Sequence, residues 1–374
     1  FSISVGRASG TSMEAYLVVD RLVTNHAFIC GMTRSGKSTF VANFVRQLLT
    51  EGEKKGIVPR VILFDRRGEY VVPLQTLGDR VRVKPYTAFL PRIDQLDLDA
   101  IIRRLNLDPS RYPDRLFVRK LRERLVELSA RRETITFDEI CSIAEEIANE
   151  LQSKFKRTDM AVRADYVREY GSFLEKHFRE PEDPINILRE APVLLIDFSI
   201  DTLLEDQQQA ARYVVERAVS YGIETQGRFP VLLIIEEAQY YVPERGMFKV
   251  GDPYGTGVAR AIVEGMSQAG GYNVGFILMS QRPAYVSKSA ISQCGTVISF
   301  RLANENDQDT LSRYTEYGGK ALKQILAGLS THEALMWGVA LPTPFPLLVE
   351  TLTEIYPQKA VMRPSEAWRK LGAS

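Results

Sequence analysis

Residues 26–49 read HAFICGMTRSGKSTFVANFVRQLL. Within them, Gly31-Met32-Thr33-Arg34-Ser35-Gly36-Lys37-Ser38 fits the pattern G-x-x-x-x-G-K-[ST] at every fixed position. The chemistry behind that pattern is charge. A polyphosphate carries several negative charges, and a loop that wraps it must bring backbone N–H groups to close range. Gly31 and Gly36 permit the tight path that a side chain would obstruct. Lys37 can place an ammonium on the β- and γ-phosphates, and the Ser38 hydroxyl can ligate Mg²⁺. Thr33, Arg34, Ser35 and Thr39 complete the stretch expected to touch the nucleotide. Context supports the match. Ala27 to Cys30 is a short apolar run entering the loop, and Phe40, Val41, Phe44, Val45, Leu48 and Leu49 then recur at helical spacing up to a stop at Gly52. A helix that begins at the phosphates adds its positive end to the site. An ordinary glycine turn between strand and helix needs neither the lysine nor the serine, so the stretch predicts a site for a nucleoside triphosphate, ATP, with Mg²⁺.

Working outward, the apolar run in RVILFDRRGEY (residues 60–70) ends in Asp65 and meets a turn at Gly68. A carboxylate at the end of a parallel strand sits where α/β folds bind ligands. Asp65 and Glu69 therefore serve either the Mg²⁺ shell or the turn itself, paired with Arg66 or Arg67. Further apolar runs at Val193–Phe198, Val231–Ile235, Gly275–Met279, Val297–Leu302 and Ala334–Val339 alternate with helical patterns such as Asp206–Tyr221. That alternation predicts an α/β fold with a mostly parallel sheet covered on both faces; with the four blocks compared below, it is similar to the RecA/FtsK-like P-loop ATPase core. Between Ile93 and Phe178 the pattern turns to charged helical periodicity, with a capping box at Thr136 and Glu139. The expected organisation is a first part of the core over residues 1–92, a helical insertion over 93–184, a second part of the core over 185–354 and a C-terminal arm over 355–374. The arginines of the insertion (Arg119, Arg122, Arg124, Arg131, Arg132) are interleaved with glutamates, which favours a solvated helix face over a DNA surface.

The chain has 374 residues, 45% of them hydrophobic and 25% charged, as in ordinary globular proteins. No run of about eighteen apolar residues is present, so no membrane span is expected and a cytoplasmic location is. A start at Phe1 rather than Met suggests a fragment or a chain lacking its first segment. Residues 1–22 carry short β-like pieces, the clearest at Tyr16–Val19, and are expected to end some larger unit. Three widely spaced cysteines, Cys30, Cys141 and Cys294, lack metal-type spacing and suit a reducing compartment. A net charge of +1 neither requires nor excludes nucleic acid.

In VLLIIEEAQYYVP, Glu236 and Glu237 follow the apolar run directly. Hydrolysis of a phosphoanhydride needs a metal near the β- and γ-phosphates and a group that orients the attacking water. Two acids at a strand tip can divide these tasks, with Glu236 toward Mg²⁺ and Glu237 on the water. Gln281, just after GFILMS, is a candidate sensor that reaches the γ-phosphate or the water.

Taken together, GMTRSGKST, VLLIIEEAQYYVPE, ILMSQRPAYVSKSAISQCGTVISFRLANENDQ and HEALMWGVALPTPFP resemble the HerA family of hexameric DNA translocases, in the HerA–FtsK branch of P-loop motors. The four blocks occur in the family's order and cover nearly all of the chain apart from the insertion. The resemblance implies an ATP- and Mg²⁺-dependent homohexamer moving along double-stranded DNA, with a NurA-like nuclease as partner in DNA end processing and no membrane. By position it makes Lys37 and Ser38 the phosphate and metal ligands, Glu237 the catalytic acid and Gln281 the sensor. The chain departs from the family at Glu236, often Asp in these motors, at Asn25, where arginine is frequent, and at Ser267–Gly271, where a basic segment is common. Those losses leave Arg260, Arg282, Arg301 and Arg313 as arginine-finger candidates, with Arg260 and Arg301 put forward. The loop PERGMFKVGDPYGTG (243–257) carries Arg245 and Lys249 and is a candidate DNA loop or a solvated one. In the arm, Trp368 and Leu371 could pack on the chain's own core or on the next subunit. Two other functions remain open at this level: a nucleotide-regulated scaffold for an effector nuclease, and a VirB4-like secretion or conjugation ATPase.

Overall fold

Continuous runs of branched apolar residues can be buried only in a sheet covered on both faces, and the chain builds one. The computed structural model describes residues 1–155, 159–200, 203–244, 256–313, 319–354 and 369. Its strands are β1 (Ser2–Ala8), β2 (Glu14–Val18), β3 (Ala27–Cys30), β4 (Val61–Asp65), β5 (Val81–Pro85), β6 (Val193–Asp197), β7 (Val231–Ile235), β8 (Val274–Ser280), β9 (Thr296–Ser299), β10 (Glu333–Gly338) and β11 (Leu347–Thr351). They form one sheet in the order β2-β1-β11-β10-β9-β3-β8-β7-β4-β6-β5. From β9 to β5 every pairing is parallel. From β10 to β2 every pairing is antiparallel.

The α/β P-loop fold expected from the sequence is present, with a modified edge. The run at Ala334–Val339 lies in the sheet but antiparallel to its neighbour. The β-like pieces before Leu22 belong to the same sheet through β11. Two strands carry no apolar run: β5 holds Arg82 and Lys84 at the sheet edge, and β11 is only partly buried.

Helix Lys37–Lys54 covers one face, packing Phe40, Phe44 and Leu48 over Ile29, Leu63 and Ile234. Helices Leu204–Glu224 and Val258–Ala269 cover the other, over Phe28, Leu233 and Phe276. Each such fully buried side chain contributes roughly 1.5–3 kcal/mol relative to exposure. A third cluster, separate from both, joins helices Leu98–Arg104, Tyr112–Ser129, Phe137–Phe155 and Ala161–Tyr170 through Ile102, Leu121, Ile140 and Val167. Thr136 and Glu139 cap the third of these reciprocally, the Thr136 N–H donating to Glu139 Oε2 at 2.9 Å and the Glu139 N–H to Thr136 Oγ1 at 3.4 Å. The surface arginines here meet glutamates, Arg119 with Glu123, Arg124 with Glu146 and Arg132 with Glu139.

A buried ion cluster ties this helical unit to the core. The Arg104 guanidinium stacks on Phe173 and lies 2.7 Å from Asp206 and 3.2 Å from Glu205, which open helix Leu204–Glu224. Burial pushes the Glu205 carboxyl up to about 7, against the pull of Arg104. A raised carboxyl favours the folded state while protonated, so this contribution is complete below about pH 4.5 and is lost as pH rises through 7. Glu205→Gln, which cannot ionise, should therefore gain in melting temperature relative to the parent between pH 5 and pH 8. A constant difference across that range would show that Glu205 is ionised throughout.

Candidate nucleotide site

Because β3, β8, β7 and β4 run parallel and adjacent, their C-terminal ends share one edge of the sheet. That edge holds a cleft of about 910 Å³, within the usual size of ligand sites. It is lined by Thr33, Arg34, Gly36, Lys37, Ser38 and Thr39 from the loop after β3, by Arg67 and Glu69 after β4, by Glu236 and Glu237 after β7, and by Gln281 after β8. Residues more than 240 positions apart in sequence thus meet.

The glycines are required by space as well as by backbone angle. Gly36 has φ 110°, and a Cβ there would sit 2.8 Å from the His332 ring nitrogen; Gly31 has φ 149°, and a Cβ would reach 2.5 Å from Phe300. Outside contacts also hold the loop, since the Met32 N–H donates to the Arg301 carbonyl at 2.8 Å and the His332 N–H to the Ser35 carbonyl at 3.0 Å. Lys37 is only 8% exposed, and its ammonium donates to the Gly31 and Met32 carbonyls at 2.6 and 2.9 Å. Burial lowers its pKa, and the nearby Glu237 opposes that shift. A buried ammonium held at the mouth of a glycine cradle fits a polyphosphate. Ser35 and Gly31 lie within the loop rather than on the cleft wall: Ser35 Oγ donates to the Met32 carbonyl.

Glu237 follows β7 with φ 49° and ψ 51°, a left-handed conformation that costs a non-glycine residue about 1–2 kcal/mol. It turns the carboxylate back into the cleft. There Glu237 Oε1 accepts from Gln281 Nε2 and lies 3.7 Å from the Arg67 guanidinium, while Oε2 accepts from Gln239 Nε2 at 2.6 Å. Gln281 also accepts from the Thr33 hydroxyl, so it bridges the acid to the loop. Gln239 is held in turn by Ser280 Oγ at 2.8 Å.

Glu236 accepts from the Arg66 and Arg67 N–H groups at 2.9 and 3.3 Å. Burial, then the neighbouring Asp65, Glu69 and Glu237 carboxylates, push its pKa well above the usual range. A divalent cation would relieve that crowding. Asp65 and Glu69 divide the alternatives left open by the sequence. Asp65 is fully buried and caps its own turn, accepting from the N–H groups of Glu69, Tyr70 and Val71. Glu69 instead accepts from the Ser38 hydroxyl. Among the described residues, no group of three or more His, Cys, Asp or Glu is arranged to hold a metal alone. The donor set suits Mg²⁺, which takes one or two protein ligands and completes its shell with phosphate and water.

The arginine candidates lie outside this chain's own cleft lining. Arg260 is exposed on helix Val258–Ala269 and paired with Glu264 at 2.7 Å. Arg282 pairs with Asp307 at 3.0 Å. Arg301 is exposed beside the loop that its carbonyl braces. Arg245 and Lys249 lie outside the described residues, as do Trp368 and Leu371. Arg67, named from the sequence as a partner of Asp65 or Glu69, does pair with Glu69 at 3.8 Å and also reaches Glu237; sequence reasoning missed Gln239 and His332. Gln239, two residues after Glu237, offered a local signal. His332 offered none, because only tertiary structure brings it here.

A parallel sheet with a glycine-framed loop, a buried lysine and an acid at the neighbouring strand tips defines the P-loop nucleotide-binding class. The family model for the HerA helicase central domain matches residues 3–219, and the chain belongs to that family. It is 22% identical over 356 residues to a probable helicase of Methanocaldococcus jannaschii, covering 89% of this chain and 63% of that protein. To the DNA double-strand break repair helicase HerA of Pyrococcus furiosus it is 24% identical over 387 residues, covering 88% of this chain and 65% of that protein. The chain therefore spans somewhat less than two thirds of the length of these relatives. Its fold resembles VirB4 of Thermoanaerobacter pseudethanolicus with a TM-score of 0.59, at 14% identity and 98% coverage of each chain.

Proposed function

We propose that this chain is the ATP-hydrolysing core of a DNA motor. The observation that carries the reading is the Glu237 carboxylate, held by Gln281 and Gln239 beside the phosphate loop. Lys37 and the loop N–H groups bind the phosphates, with Thr33, Arg34 and Thr39 along the wall. Ser38 would hold Mg²⁺, with Glu69 and Glu236 in the same cleft. Bound there, Mg²⁺ would supply charge neutralisation to the polyphosphate. Glu237 polarises a water for attack on the γ-phosphorus, the bond to the β-phosphate breaks, and ADP and phosphate leave. Gln281 orients that water and, through Thr33, couples its position to the loop.

The name of the Pyrococcus furiosus relative, a DNA double-strand break repair helicase, supports a motor on DNA; from the family resemblance we further propose a homohexamer that moves along double-stranded DNA in DNA end processing, with a NurA-like nuclease as partner. Arg260 or Arg301, both exposed, would complete the site of a neighbouring subunit. We place the motor in the cytoplasm; none of the described helices is long and apolar enough to cross a membrane. The likeness to VirB4 concerns the fold and does not favour a secretion role. Phosphate release from ATP, measured with and without linear duplex, tests the reading. The motor predicts turnover raised severalfold by duplex. Turnover that ignores duplex would remove DNA translocation and leave an ATPase that serves as a scaffold or acts on another substrate.

A further inference from the structure

His332 lies in the turn between helix Lys320–Gly328 and β10, on the β9 flank of the phosphate loop. Glu237 and Gln281 approach from the opposite flank, after β7 and β8. Three features of His332 bear on its role. Its φ is 67°, a conformation that glycine adopts freely and that costs a histidine about 1–3 kcal/mol. Its ring lies directly on Gly36, so that a Cβ on that glycine would be 2.8 Å from Nδ1. Nδ1 is buried with no hydrogen-bond partner among the described residues, whereas both ring nitrogens of His26 are paired, with the Met266 carbonyl and the Phe276 N–H. The residue lines the same cleft as Lys37, next to Thr331 and Glu354.

We infer that His332 is a further nucleotide-contacting residue, whose imidazole hydrogen-bonds the α-phosphate–ribose end of a bound nucleoside triphosphate. The inference rests on the nucleotide reading of the cleft. With the γ-phosphate on the Glu237 flank, the rest of the nucleotide passes the flank that His332 occupies. A glycine at this position would relieve the backbone, so the strain is explained by what the ring does.

The test uses the full chain with Mg²⁺ and a non-hydrolysable ATP analogue, titrated by calorimetry, with melting curves of each variant. His332→Gly should melt at or above the parent's temperature and bind the analogue about tenfold more weakly, the scale of one lost hydrogen bond to a charged group. His332→Asn, which tolerates the left-handed conformation and keeps a polar side chain, should recover part of that affinity. A purely structural role would instead lower the melting temperature of His332→Gly and leave its affinity for the analogue unchanged. Equal affinity in parent and His332→Gly would overturn the inference and leave the nucleotide site standing. Absence of binding by the parent would instead remove the nucleotide reading. If His332→Gly fails to fold, exchange of the histidine C2 hydrogens in the parent, read by peptide mass spectrometry, decides. The analogue should slow exchange at His332 and leave His26 and His177 unchanged, and an unchanged rate at His332 would refute the contact.

Discussion

Replacing Glu237 by glutamine is expected to leave ATP binding nearly intact while lowering turnover by about 10³-fold, within the range for removal of a general base. Glutamine keeps the size of the side chain, and its one carbonyl oxygen can still accept from Gln281 or Gln239, so the cleft stays close to its shape. What it loses is the negative charge that polarises water. Binding energy and chemistry therefore separate in this variant, with kcat falling and affinity for ATP held. Single-turnover phosphate release, alongside a direct binding titration, measures both. Turnover equal to the parent's would move the catalytic role to another acid, and Glu236 is poorly suited to it. Burial and three neighbouring carboxylates favour its protonated form, and two backbone N–H groups already bind one of its oxygens.

Lys37→Ala is expected to fail earlier, at binding. The Lys37 ammonium is buried and donates to two loop carbonyls, so it both shapes the loop and supplies the charge that meets the phosphates. Losing a buried charge-assisted contact of this kind costs about 2–5 kcal/mol in binding, or roughly 30- to 5000-fold in affinity. The alanine variant should therefore show little ATP binding at concentrations that saturate the parent, and correspondingly little turnover. A melting curve separates this loss from unfolding, since the hydrophobic contacts of helix Lys37–Lys54 are untouched.

How much of this was legible in the sequence follows from how local each feature is. The phosphate loop is contiguous, and its strand and helix are written on either side of it. The Glu236–Glu237 pair and Gln281 each end an apolar run, so parallel strands were enough to bring them to one edge. Long-range contacts were opaque. Asp65 and Glu69 sit four residues apart, and nothing in that spacing says that Asp65 turns inward onto three backbone N–H groups while Glu69 reaches Ser38. The direction of β10 was hidden for a similar reason. An apolar run is buried equally well parallel or antiparallel, and only its pairing with β9 decides. β5 escaped notice because an edge strand with Arg82 and Lys84 has no apolar signature to show. His332 reads as an unremarked residue before a strand until the fold lays it on Gly36.

The claim on which the rest depends is that the cleft after β3 takes a nucleoside triphosphate with its metal. Calorimetric titration of ATP into the chain of this sequence, with and without Mg²⁺ and with Lys37→Ala as control, tests it most directly. The account predicts one saturable site per chain, strengthened by Mg²⁺ and abolished in Lys37→Ala. No binding by a folded parent, or binding that Lys37→Ala leaves unchanged, would contradict it.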